Sequence, residues 1–364
     1  MHLDIIRAPQ VARPALPVDK GALEFGRRFT PHMFTMCFGP TEGWIAARVE
    51  PYHALSLDPS ALVFHYGQEI FEGMKAYAAP NGSVHLFRPD DHILRFNRSA
   101  RRVCMPEVDV EFVRRALSTL VDVDRAEMPQ VRGSSLYLRP TMIATSVGLG
   151  VRASDQFLFF CIVSPVGAYF GSEAIAPVAI HVSENHVRAV RGGVGEIKVG
   201  GNYAASLLAA EEARDAGCVQ TLWLDAIERK YVEEVGTMNV FFVFDDVLVT
   251  PALTGTILAG MTRDSVLRIA QHEGRRVEER TISLAEVLDG AKSGRLKEAF
   301  GSGTAVGISP IGALVYRGTR HAVRDGSIGP IAQSMHGILS AIQRGESPLF
   351  PEWRTRVDEH SLAG

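Results

Sequence analysis

The sequence predicts an α/β (α+β) protein of two domains, and three observations carry that prediction. At 364 residues the chain is long enough for about two domains with substantial cores. Its first half alternates strand-like and helix-like patterns, whereas its second half is rich in strands. Between them, the run from Pro165 to Pro177 also holds Gly167 and Gly171 and has few periodic apolar residues, which marks a boundary. The division expected is residues 1–166, an interdomain loop over 167–177, and residues 178–364. Neither half shows regular βαβ alternation or GxGxxG after a strand, so a dinucleotide-binding fold fits poorly.

The elements follow in order. Lys75–Ala78 and Val84–Phe87 flank Pro80-Asn81-Gly82, a hairpin signal because Asn-Gly supplies positive φ angles for a tight turn. A helix is expected to start near Asp90 or Asp91 and to carry Ile93, Leu94 and Phe96. Asp109 should cap another, with Val113, Ala116, Leu117 and Leu120 on one face. Leu136–Arg139 and Phe157–Val163 read as strands, and Val178–Val182 opens the second domain. There, Val219–Leu224, Asn239–Phe244 and Val247–Val249 read as strands, the last two joined at Asp245-Asp246. Helices are expected at 204–213, from near Thr262, and from Ser283, whose spacing to Glu286 is that of a capping box.

Composition narrows the function. An apolar content of 46% and a charged content of 22% are those of a soluble globular protein. A net charge of −3 without any block of like charge gives no electrostatic case for nucleic acid or an anionic membrane. The longest strongly apolar run, Phe157–Val163, is far too short to span a bilayer. No secretory leader pattern follows Met1, and Cys37, Cys104, Cys161 and Cys218 lie far apart, so a reduced, cytoplasmic protein is expected. The histidines show no ligand spacing, and no metal is expected.

Lys198 is one of six lysines and sits in Gly192-Gly193-Val194-Gly195-Glu196-Ile197-Lys198-Val199-Gly200-Gly201-Asn202-Tyr203. Glycine lets backbone approach a ligand closely. A lysine desolvated in such a loop can lose its proton and attack an aldehyde, forming a Schiff base. Two further strings have the character of an anion site. Thr254 to Arg263 leads into a helix, whose free N–H groups and dipole attract phosphate, with the Thr262 hydroxyl at hand. Phe300-Gly301-Ser302-Gly303-Thr304-Ala305 is a small-residue turn able to form a backbone nest. Each alone also describes a plain cap or turn. Glu234, in Tyr231-Val232-Glu233-Glu234-Val235-Gly236-Thr237-Met238-Asn239, needs a cation if it points inward, and a protonated pyridine nitrogen would serve.

In this order, these strings resemble the branched-chain-amino-acid aminotransferases, fold type IV enzymes dependent on pyridoxal 5'-phosphate (PLP). The resemblance also covers Phe25–Met33, His65–Ala76, Arg95–Ala100, Leu136–Thr141 and Gly167–Phe170. It implies a smaller N-terminal α/β domain, a larger strand-rich pseudo-barrel C-terminal domain that binds PLP, and a homodimer in which Gly148-Leu149-Gly150-Val151 helps close the partner's pocket. The implied reaction is transamination of leucine, isoleucine and valine with 2-oxoglutarate. Lys198 would hold PLP as a Schiff base and shuttle the proton, Glu234 would keep the pyridine nitrogen protonated, and Tyr203 would bond the ring oxygen. Arg95, the amides of Met261 and Thr262, and Thr304 would bind phosphate. Phe29, Tyr66, Phe71, Tyr137, Arg139 and Tyr169 would line the substrate pocket, with backbone at Thr237 and Ala305 holding the α-carboxylate.

The chain departs from the pattern at Pro31, where an acid is common, at Ala259, where proline is common, and at Ser146-Val147. Val306-Gly307-Ile308-Ser309 lacks the CxxC redox switch of some animal members. A D-amino-acid transaminase or an aminodeoxychorismate lyase of the same fold would keep Lys198 and Glu234 and change the pocket. A silent PLP-binding scaffold and a nucleotide-phosphate binder are the readings from other classes. The second of these lacks a P-loop.

Overall fold

The computed structural model describes residues 1–9, 23–167 and 175–362. It forms two compact units, one of Met1–Glu173, Ile197–Gly200 and Ala341–Gly364, the other of Ala174–Glu196 and Gly201–Ser340. The sequence predicts 178–364 as one domain. Here the short lysine segment packs with the first unit because Phe71 N–H bonds Lys198 O at 3.1 Å and Ile70 bridges Val199. The C-terminal stretch does so because Arg354–Arg356 pairs with Val84–Phe87.

The first unit is built on a nine-stranded sheet in the order Asp4–Ile5, Gly43–Pro51, His32–Gly39, Phe157–Val166, Ser135–Ala144, Met74–Ala78, Val84–Phe87, Arg354–Arg356, with Glu69–Phe71 also on Ser135–Ala144. The predicted hairpin forms, with Ala76 opposite Leu86 and Ala78 opposite Val84. Its turn is longer than an Asn-Gly pair: only Gly82 takes a positive φ (82°), and Asn81 Oδ1 instead accepts from Ser83 N–H. The helix Pro89–Arg102 starts one residue before the expected acids, with proline in its first turn, where a missing N–H costs nothing. Asp109 caps Val110–Val123, accepting from Phe112 N–H at 2.7 Å.

In the second unit the strands Val232–Val235, Gln220–Leu224, Val178–Val182, Gly307–Tyr316, Leu296–Gly303 and Met238–Phe244 pair in that order. Val232–Val235 also pairs with Met238–Phe244, so these strands close into a barrel. Met238–Phe244 is buried at every position, which explains the apolar run Val240–Phe244, and Asn239 is its buried polar exception. Ile180, Leu222, Val235, Val240, Phe242 and Leu314 fill the core. Ser283 caps Leu284–Ser293 as its spacing predicts. The helix expected over 204–213 is instead two pieces, Gly200–Ala204 and Leu207–Asp215. The break falls at Ser206, whose hydroxyl bonds Tyr203 O at 2.7 Å and competes with the helical ladder.

Candidate active site

Each unit assembles its own set of the predicted residues. In the first, Lys198 is pinned at both ends of its peptide: its N–H donates to Ser99 Oγ at 3.0 Å, and its carbonyl accepts from Phe71. Its Nζ lies 4.6 Å from the centroid of the Phe71 ring. Burial pushes the amine down to about 8, with Glu72 opposing that shift and Arg95 adding to it. About a tenth of the amine is therefore neutral at pH 7, far more than an ordinary lysine offers, which favours its action as a nucleophile. Lys75, in strand Met74–Ala78, is also pushed down to about 8 by burial.

Arg139 joins this cluster. Its guanidinium lies 4.8 Å from the Phe71 ring and 5.3 Å from Tyr137, and Nη2 donates to Tyr137 Oη at 3.0 Å. Among the described residues no carboxylate is in salt-bridge contact with it, although its charge is felt by Glu69, and its buried Nε donates to nothing. A cation flanked by aromatic faces and lacking a salt-bridged acid suits a visiting carboxylate, while the faces suit an apolar side chain. Tyr137 is fixed in turn by Phe25, edge-on at 4.8 Å, and by Gly73, where a Cβ would stand 1.9 Å from Tyr137 Oη. Phe29 stacks on Tyr52 at 5.5 Å, and the Tyr66 hydroxyl donates to Leu149 O. Tyr169 lies outside the described residues.

Arg95 is buried on the helix Pro89–Arg102 and faces Glu72, a residue the sequence reading left without a role. Nε donates to Oε1 at 2.6 Å and Nη2 to Oε2 at 2.9 Å.

The second unit holds the acid. Val235-Gly236-Thr237-Met238 is a two-residue hairpin turn, with Gly236 at φ 55°, and it places Glu234 opposite Asn239. A side chain at Gly236 would also strike Gln220 Oε1. Glu234 does point inward, and the chain supplies a cation of its own: Arg188 Nη1 lies 2.6 Å from Oε2. Nothing in the irregular run around Arg188 signalled this. Asn239 Nδ2 donates to Glu234 Oε1 at 3.1 Å and to Leu258 O at 2.9 Å, tying the acid to the expected phosphate loop. Arg188 also donates to Gly195 O and Thr256 O, at 3.1 and 2.9 Å. Gly195 is required there, since a Cβ would come within 2.4 Å of Thr256 O.

The helix Met261–His272 begins after Gly260 with no side-chain cap, and Thr262 is buried in its first turn. Gly260 has no room for a side chain, because Asn239 Oδ1 would be 2.1 Å away. Thr304 and Ala305 lie in the turn after Leu296–Gly303, and that strand pairs Ser302 with Asn239. The turn is thus placed beside the Glu234 hairpin. Thr237 is exposed at the hairpin tip, and Tyr203 is half-buried in Gly200–Ala204.

The residues present fit PLP by their chemistry. Glu234, ion-paired with Arg188 and accepting from Asn239, is a buried carboxylate of the kind that accepts a bond from a pyridinium N–H. The uncapped helix start suits a phosphate, and the depressed Lys198 amine suits an aldehyde.

Comparison with known proteins agrees. Residues 69–314 match the family described as amino-transferase class IV. The chain is 48% identical over 339 residues to the "Branched-chain-amino-acid transaminase 1" of Bacillus subtilis, covering 93% of this chain and 95% of that protein. It is 49% identical over 322 residues to a "Probable branched-chain-amino-acid aminotransferase" of Streptomyces coelicolor, covering 88% and 89%. Its fold matches the crystal structure of the branched-chain amino acid aminotransferase from Thermobaculum terrenum in its PLP form, with a TM-score of 0.76, 25% identity, and coverage of 90% and 99%.

Proposed function

The chain belongs to the amino-transferase class IV family, and we propose that the lysine set of its first unit and the acid set of its second serve one reaction on one cofactor. It is a PLP-dependent transaminase of branched-chain L-amino acids, giving branched 2-oxo acids and, from 2-oxoglutarate, L-glutamate. The observation that carries the reading is Lys198: a pinned backbone, an aromatic face under Nζ, and an amine made available by burial.

Bound PLP supplies an aldehyde for the amino group and a ring that accepts the electron pair released at Cα. The chain's residues do the rest. Lys198 Nζ holds the cofactor and then carries the proton that leaves Cα. Glu234, kept in place by Arg188 and Asn239, holds a proton on the pyridine nitrogen. Arg95, Met261 and Thr262 amides and Thr304 hold phosphate. Tyr203 bonds the ring oxygen, and Thr237 and Ala305 backbone hold the α-carboxylate. Phe29, Tyr66, Phe71, Tyr137 and Tyr169 receive the branched side chain. Arg139, without a salt-bridged acid of its own, takes the distal carboxylate when glutamate is the amino donor.

Site-resolved labelling of the apoprotein with an amine-acylating reagent tests the lysine assignment. Lys198 modification should rise with a midpoint near pH 8, since below that the amine is protonated, and PLP should protect it. A midpoint near 10.5, the ordinary lysine value, or labelling indifferent to PLP, would remove Lys198 from the chemistry. Following the same digest at Lys75 gives an internal comparison, because that amine should titrate alike but gain no protection.

We also propose a cytoplasmic homodimer. Val147, Leu149 and Val151 alternate along one loop at 56%, 67% and 85% exposure, an apolar edge suited to a second copy of the chain. Sedimentation should give the mass of two chains, and a mass of one would contradict this. Among the described residues no helix is long and apolar enough to cross a membrane.

A further inference from the structure

We propose that Glu72, backed by His92, is the positioning residue that aims Arg95 at the cofactor's phosphate; this rests on the reading of Arg95 given above. Glu72 is fully buried, and its own N–H is held by Pro140 O at 2.8 Å. Arg95 meets it side-on, through Nε and Nη2. Oε2 accepts two further bonds, from His92 Nδ1–H at 3.0 Å and from Gly73 N–H at 3.0 Å. His92 and Arg95 stand three residues apart on one helix face, so a single carboxylate can hold both.

The protonation states follow from the surroundings. Burial opposes ionisation of Glu72, but the Arg95 charge and the bonds from His92 and Arg95 outweigh it and hold the carboxyl well below the usual range. Burial lowers His92, which therefore stays neutral at pH 7 and offers Nδ1–H. The cluster then carries one negative and one positive charge, fully enclosed. A buried ion pair is weak evidence of stability, because desolvation cancels much of its attraction, whereas its geometry is well defined. That geometry commits the Nε/Nη2 edge of Arg95 to Glu72 and turns Nη1 toward any other acceptor.

Glu72 acts on a bound phosphate in two opposed ways. Its charge repels the anion, and its hydrogen bonds hold the guanidinium in one orientation. Orientation dominates, because phosphate is read by directional N–H···O bonds and a freed arginine must be immobilised anew on binding. In Glu72→Gln the shape is kept, but the amide NH2 must face a donor whichever way it is flipped: Arg95 Nε on one side, or Arg95 Nη2, His92 and Gly73 on the other. Arg95 then loses its fixed edge.

The test compares PLP with pyridoxal, which carries the same aldehyde and no phosphate, by spectroscopic titration of the apoprotein. Glu72→Gln should weaken PLP relative to pyridoxal by about tenfold, the worth of a charge-assisted hydrogen bond. Glu72 also raises the Lys198 amine, but both aldehydes feel that equally and the ratio cancels it. Glu72→Asp, which keeps the charge but withdraws its reach, should show the same PLP-selective loss and serves if the glutamine variant folds poorly. Equal loss for both aldehydes would reduce Glu72 to packing, and tighter PLP binding would show that charge repulsion wins. Either result overturns the proposal. If Arg95→Gln fails to separate PLP from pyridoxal, the phosphate role of Arg95 itself is wrong, and the proposal falls with it.

Discussion

Replacing Lys198 with alanine is expected to abolish transamination, by about 10⁴-fold or more, while PLP still binds noncovalently. Two functions are lost together, the nucleophilic amine and the carrier of the Cα proton, so the loss should exceed that from removing a binding contact. Phosphate and pyridine contacts reside in other residues, which is why binding survives. Because a primary amine is what disappears, small amines in solution should restore part of the activity, rising with their free-base concentration. Retained turnover without added amine would sink the assignment.

Glu234→Ala should lower kcat by about 10²-fold or more and weaken PLP binding less, since the carboxylate acts on charge that develops during the reaction. The structure adds a second expectation. Arg188 loses its carboxylate inside the unit, where its side chain is 7% exposed, and breaking such a pair costs about 3–5 kcal/mol. The variant should therefore melt lower as well as turn over more slowly. Adding Arg188→Met should recover stability but not rate, separating the two roles. An unchanged kcat would assign Glu234 to structure alone.

Much of this was legible in the sequence. Asp109 and Ser283 act locally, through bonds that close within three residues, and both caps form as their spacing predicts. The Gly236-Thr237 turn is likewise local, and it fixes Glu234 opposite Asn239. What the sequence hid depends on distant partners. Arg188 is 46 positions from Glu234 and stands in no periodic pattern. Glu72 lies beside a glycine at a strand end, where nothing local distinguishes an acid that holds Arg95 from one facing water. Closure of the barrel likewise depends on pairing between strands far apart in the chain, as between Val178–Val182 and Gly307–Tyr316. The 204–213 helix failed for a different reason: alanine propensity favoured it, and one serine hydroxyl was enough to break it.

The most direct measurement is the visible spectrum of the purified protein before and after L-leucine, then after 2-oxoglutarate. The account predicts a band from lysine-bound PLP that bleaches with L-leucine, ignores D-leucine, and returns with 2-oxoglutarate, so that both half-reactions are seen in one cuvette. A band that persists in L-leucine would contradict the branched-chain assignment, and absence of any band after adding PLP would contradict the cofactor and Lys198 together.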